Sequence, residues 1–197
     1  MIRANLMMGW FSTNFNARVV LLLRHPCAVV ESQIRQRATY WDPYARIAQY
    51  RQDSAFRDRF GSRYGKYLDQ SLSTAAASAL VWCIENQVPV EESERFGYAV
   101  VCYESLLQHD SADWNRLTRQ LKLERSPDTA LLLQPSQQAS NDWSAKHDSS
   151  AKWMSRISAD ELRDINWILM ELGVEIYSAN DPAPRTASFL QCNSTDA

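Results

Sequence analysis

Arg24 and Ser32 are the residues of this chain best suited to holding an anion, and both follow the apolar run Arg18-Val-Val-Leu-Leu-Leu23. A guanidinium presents a planar fork of N–H donors that matches phosphate or sulfate oxygens two at a time. Ser32 stands eight positions after Arg24 and adds a hydroxyl donor for the same anion if the chain turns back at once. Pro26 favours that turn, because proline fits the first turn of a helix, where its missing N–H costs nothing. Lys146 and Lys152, in a polar stretch, can close over a bound nucleotide or simply keep a loop solvated. His25 lies between Arg24 and Pro26 and reads as a turn residue rather than a base, since the neighbouring cation disfavours its protonation. Glu104, just past a second apolar run, reads as a partner for a backbone or arginine group at a strand end. His109 and His147 fall in polar loops, where exposure is the expectation.

The elements that must position these residues follow from periodicity. Residues 3–15 place Leu6, Met7, Trp10, Phe11 and Phe15 at helical spacing. The run 18–23 is apolar on both faces, as for a strand buried in a parallel sheet, and Cys27, Val30 and Ile34 share one face of the helix after it. The Ala-rich segment 72–88 predicts a packed core helix, and Gly97-Tyr-Ala-Val-Val-Cys-Tyr103 a second buried strand. Residues 113–123 read as helix, and 134–152 as a long Ser-, Gln- and Asp-rich loop of the length that lids have. Ser158-Ala-Asp-Glu161 is a capping box that starts a last helix ending at Gly173. Residues 1–177 then form one domain, with 178–197 a disordered tail. Two strands separated by helical sequence pair in parallel through a crossover, so the expected class is a helix-rich α/β sandwich. In such sheets ligands bind beyond the carboxyl ends of the strands, which is where Arg24 and Tyr103-Glu104 stand.

Composition narrows the function classes. The 197 residues carry 21 basic and 23 acidic side chains, a net charge of −2 that does not suit a general nucleic-acid binder. The 45% hydrophobic fraction fits a packed core. The longest apolar run, Val19 to Leu23, is far shorter than the roughly 20 residues of a membrane span, and no cleavable leader is evident, so a cytoplasmic, membrane-free chain is expected. Cys27, Cys83, Cys102 and Cys192 lack the paired spacing of zinc sites and read as reduced, mostly buried thiols. No metal is implied. Residues 35–67 hold eight basic against three acidic side chains, interleaved with aromatics. That segment is either an acceptor-binding surface or, the favoured reading, a pair of amphipathic helices with solvated arginines. Trp82 and Trp167 are expected in the core, Trp143 and Trp153 near the lid.

Leu21-Leu-Leu-Arg-His-Pro-Cys-Ala-Val-Val-Glu-Ser32 resembles the strand–turn–helix segment of sulfotransferases that use 3′-phosphoadenylyl sulfate. Val100-Val-Cys-Tyr-Glu-Ser-Leu-Leu107 is similar to that family's later strand and its Tyr-Glu-Asp-Leu element, and Lys152-Trp153 before Ile157-Ser158 resembles its cofactor-covering loop. The resemblance runs from about Asn5 to Tyr177. It implies a sheet related to the P-loop nucleotide-binding architecture and transfer of a sulfuryl group to a hydroxyl or amine on a small-molecule or carbohydrate acceptor. It further implies that Arg24 and Ser32 hold the 3′-phosphate, with Lys152 a third contact. The family's phosphosulfate-binding loop and its usual base precede the Arg-bearing strand, and no such Gly-rich loop occurs ahead of Arg24. The sequence therefore reads as the C-terminal part of a sulfotransferase, with no catalytic residue assigned. The alternative is an inactive sulfotransferase-like remnant that binds nucleotide weakly or a partner protein.

Overall fold

Leu21 and Leu23 are buried while Leu22 between them is 52% exposed, and this alternation shows how the sheet is covered. The computed structural model describes residues 4–35, 41–107, 112–124 and 151–185. Strand β1 (Val20–Leu23) pairs in parallel with β2 (Ala99–Cys102), in the register Val20↔Ala99 through Leu23↔Cys102. Opposed residues of a parallel pair share a face, so Leu21, Leu23, Val100 and Cys102 look one way and Val20, Leu22, Ala99 and Val101 the other. The first face meets the main core. The second meets a smaller cluster built on Leu106 and Leu117, which covers Ala99 and Val101. Leu22 lies beyond that cover. The expectation of a strand buried on both faces therefore fails for β1, because the helix on the second face packs chiefly against β2 and reaches only Val20 of β1.

The core is organised around α5 (Thr74–Phe96), in which every residue from Ala75 to Ile84 is buried. A helix apolar all round is one that neighbours enclose. Those neighbours are α1 (Met8–Asn14), α2 (Pro26–Arg35), α3 (Pro43–Gln52), α8 (Ala159–Glu171) and the sheet. Ser73 caps the start of α5 by accepting from the Ala76 N–H, and Gly97 ends it at φ +67°. Residues 72–88 underestimate this helix, which continues through Pro89 for two further turns. Val88 and Pro89 are buried, so packing outweighs the backbone bond that proline removes.

Asp42 and Asp53 cap α3 and α4 (Ser54–Leu68), accepting from Tyr44 and Phe56 N–H groups. The arginines of these helices are largely exposed, as expected of solvated charge, and several are also ion-paired. Arg46 Nε lies 2.8 Å from Glu85 Oε1, Arg63 Nη1 2.6 Å from Glu91 Oε1, and Arg59 pairs with Glu92, all acids of α5. Lys66 reaches Glu171 of α8 at 3.2 Å. Among the described residues much of the local basic charge thus faces acids of neighbouring segments.

Short α6 (Tyr103–Leu106) follows β2 directly, and α7 (Ala112–Gln120) covers the second sheet face. Before α8 a 3-10 turn, Lys152–Ser155, packs on α2. The Ser158 capping box is formed as the sequence implies, and α8 ends in a Schellman motif with Gly173 at φ +65° and the Val174 N–H on the Leu169 carbonyl at 2.9 Å. Trp167 is 38% exposed, so it lies at the margin of the core rather than within it. Cys27, Cys83 and Cys102 are buried free thiols, and burial pushes the Cys27 thiol up to about 12. Among the described residues no helix is long and apolar enough to cross a membrane.

Gly9 of α1 is a close approach. A Cβ there would lie 2.5 Å from the Phe96 ring at the end of α5. Gly9→Ala gains up to about 1 kcal/mol of helix propensity but overpacks at a cost of about 1–3 kcal/mol. A lowered melting temperature is expected, and an unchanged or raised one would show that the ring yields freely.

Candidate functional site

The parallel register carries past the strand ends. Leu23 faces Cys102, so Arg24 comes beside Tyr103 and His25 beside Glu104. Arg24 is exposed, and its guanidinium carbon sits 5.4 Å from the Tyr103 ring centroid. Cation–π stacking uses the face of the guanidinium and leaves its N–H edges for other acceptors. Among the described residues no carboxylate pairs with Arg24, in contrast to the arginines of α3 and α4. The backbone carbonyl of Arg24 accepts from Trp82 Nε1 at 3.1 Å, which fixes the strand end against α5.

His25 is fully buried and is the hinge of the turn. Its carbonyl accepts from Val29 N–H at 3.0 Å, and its ring Nδ1 accepts from Cys27 N–H at 3.1 Å, so it caps α2 with both backbone and side chain. Nε2 lies 3.0 Å from each of the Ser178 and Asp181 carbonyls. Carbonyls only accept, so Nε2 carries the proton and the ring is neutral, as the Nδ1 contact also demands. Trp153 stacks on one ring face at 4.6 Å and Tyr177 meets it edge-on at 4.9 Å. The His25 N–H donates to Glu104 Oε1 at 2.8 Å, and Tyr177 OH donates to Glu104 Oε2 at 2.7 Å. Both carboxylate oxygens are thereby committed to structural donors, which fits Glu104 as a partner for a backbone group.

Burial holds His25 below the ordinary histidine value, partly offset by the hydrogen bond to the Ser178 carbonyl and the charge of Glu104. A base whose folded value is depressed binds protons more readily when unfolded. Its contribution to stability is complete above the ordinary value near 6.5 and is lost as pH falls through and below it. The urea midpoint is expected to drop between about pH 7.5 and 5.5, and His25→Asn should flatten that slope. An identical slope in the variant would exclude His25 as its source.

The three residues singled out for anion binding are distributed over this arrangement. Arg24 ends β1, Ser32 is half-buried in the second turn of α2, and Lys152 opens the 3-10 turn that packs on α2. That turn is anchored by Trp153, whose ring is buried against His25, and by Glu31, whose carboxylate pairs with Arg35 and lies 4.0 Å from Arg156. The amino end of α2 contributes little to an anion, because Pro26 has no N–H and the Cys27 N–H is held by His25.

Lys146, His109, His147, Trp143 and Cys192 lie outside the described residues. Residues 178–185, read from sequence as the start of a disordered tail, instead form a turn whose Ser178 and Asp181 carbonyls clamp His25, with the Arg185 N–H on the Ile176 carbonyl at 2.8 Å. Tyr177 and this turn are the parts of the site that sequence reasoning missed. Pro182 and Pro184 are the local signal there, and they mark a turn as readily as a tail. Among the described residues no cluster of His, Cys, Asp and Glu is placed to hold a metal. No family model, curated protein or solved structure matches this chain.

Proposed function

We propose that the chain binds 3′-phosphoadenylyl sulfate, with Arg24 and Ser32 on the 3′-phosphate and Lys152 closing over the nucleotide, and acts as a sulfotransferase toward a hydroxyl or amine acceptor. The observation that carries this reading is Arg24. A guanidinium that has no carboxylate partner among the described residues stands at the carboxyl end of β1, fixed at its backbone by Trp82 and steadied over Tyr103. Ser32 lies about 9 Å along the helix axis from Pro26, so an anion touching both sits beside the second turn of α2 with the Arg24 side chain reaching along the helix to it. The Lys152 turn packs on the same helix.

Sulfuryl transfer is an in-line displacement in which a protein chiefly positions donor and acceptor and stabilises the charge on the leaving oxygens. Arg24 and Ser32 act at the ribose end of the donor and anchor it. They do not touch the transferred group.

A second reading, a nucleotide-binding domain without turnover, is favoured by Glu104. It is the carboxylate nearest Arg24 in register, and its two oxygens are occupied by His25 and Tyr177. It is therefore not poised as a base.

The two readings part on one pair of measurements. Calorimetric titration of 3′,5′-adenosine diphosphate into the full chain is expected to show saturable binding under both. Release of the same diphosphate from 3′-phosphoadenylyl sulfate in the presence of a mixture of alcohol and amine acceptors is expected only for the sulfotransferase. Absence of binding at millimolar nucleotide would end both.

A further inference from the structure

A cavity-forming region is built where α5 meets the segment after α8. A cavity of about 290 Å³ opens there, walled by Leu23 at the end of β1, Trp82 and Val90 of α5, and Val174 and Ile176 beyond Gly173. Its size is at the lower end of the roughly 300–1000 Å³ of small-molecule pockets, which suits one or two rings. Several of the polar side chains at its rim have partners within the protein. Arg63 pairs with Glu91 at 2.6 Å, Gln87 Nε2 donates to the Leu172 carbonyl at 2.9 Å, and Asn86 Nδ2 donates to the Trp82 carbonyl at 2.7 Å.

The rim selects against anions. An anionic ligand would lose its hydration against an apolar wall and meet Arg63 only by breaking its pair with Glu91. Glu91 and Glu175 at the cavity add repulsion toward anions. An uncharged ring loses little water and meets a fixed aromatic surface, because the Trp82 indole is tied to the Arg24 carbonyl by its Nε1. We propose that this cavity is a binding site for a small aromatic molecule of one or two rings without negative charge, seated between Trp82 of α5 and the Gly173–Ile176 segment.

The site shares Trp82 and Leu23 with the turn that carries Arg24 but does not use the Arg24 side chain. Indole titrated into the full chain, followed by amide and methyl NMR, is expected to give saturable shifts concentrated on Trp82, Leu23 and Val174. Indole-2-carboxylate, the same rings with a charge, should bind at least about ten-fold more weakly, a difference of about 1.4 kcal/mol. Val174→Phe fills the cavity from one side and Val90→Phe from the other. In whichever of them keeps the wild-type folded spectrum, the indole shifts should vanish. The proposal is overturned if indole fails to saturate, if its shifts fall instead on exposed aromatics such as Trp10 and Phe15, if the carboxylate binds equally well, or if binding survives in a folded cavity-filled variant.

Discussion

Arg24→Ala is expected to weaken 3′,5′-adenosine diphosphate by about 1.5–3 kcal/mol, roughly a ten- to hundred-fold loss of affinity, because it removes a charge-assisted pair of hydrogen bonds to the phosphate. The fold should be untouched. The side chain is exposed, and its structural contact is a stacked tyrosine, worth about 0.5–1 kcal/mol at such a site. Arg24→Lys keeps the charge but not the planar fork, so an intermediate loss is expected. Affinity should also fall with added salt in the parent and less steeply in the alanine variant, since one ionic contact is missing. Equal affinities for parent and variant, measured by calorimetry at one ionic strength, would remove Arg24 from the site and with it the nucleotide reading.

The second large effect belongs to Glu104. Glu104→Ala strips the acceptor from two buried donors, the His25 N–H and the Tyr177 hydroxyl. Each orphaned group costs about 1–3 kcal/mol, so a loss of about 2–5 kcal/mol is expected from urea unfolding. Against a typical total of about 5–15 kcal/mol this is a severe variant. Glu104→Gln retains one acceptor oxygen but turns an NH2 toward a second donor, so it should fall between parent and alanine. Because Glu104 holds the turn that carries Arg24, nucleotide affinity should fall in both variants without any direct contact being lost. A loss below about 0.5 kcal/mol for the alanine variant would mean that the network contributes nothing to the fold.

Much of the local structure was legible because its signals are local. The capping box at Ser158, the glycine after α8, the Pro26 helix start and the β-branched entry of β1 each act within a few residues, and each appears where the spacing puts it. The errors have tertiary causes. Pro89 interrupts helix propensity, yet α5 passes through it because both of its flanks are packed. Which acids the basic residues of 35–67 meet was likewise hidden, because those of Arg46, Arg59 and Arg63 lie on α5 and that of Lys66 on α8. Trp167 has the period of a core residue, but it falls at the edge of the α8 face that α5 covers.

The site divides in the same way. Residue types and a separation of eight positions were enough to nominate Arg24 and Ser32, since a strand, a proline turn and a helix leave the chain few ways to run. The chain sequence by itself thus determined the elements and the chemistry on offer: an anion-seeking guanidinium after a strand, a hydroxyl on the next helix, and little charge in the core. Only the tertiary structure decided which groups remain available. It buried His25 as a neutral cap, committed Glu104 to two donors, set acids of α5 and α8 against the basic helices and opened a cavity beside Trp82. The reason is physical: propensity and capping depend on neighbours in the chain, whereas pairing, burial and cavities depend on groups that meet only when distant segments pack.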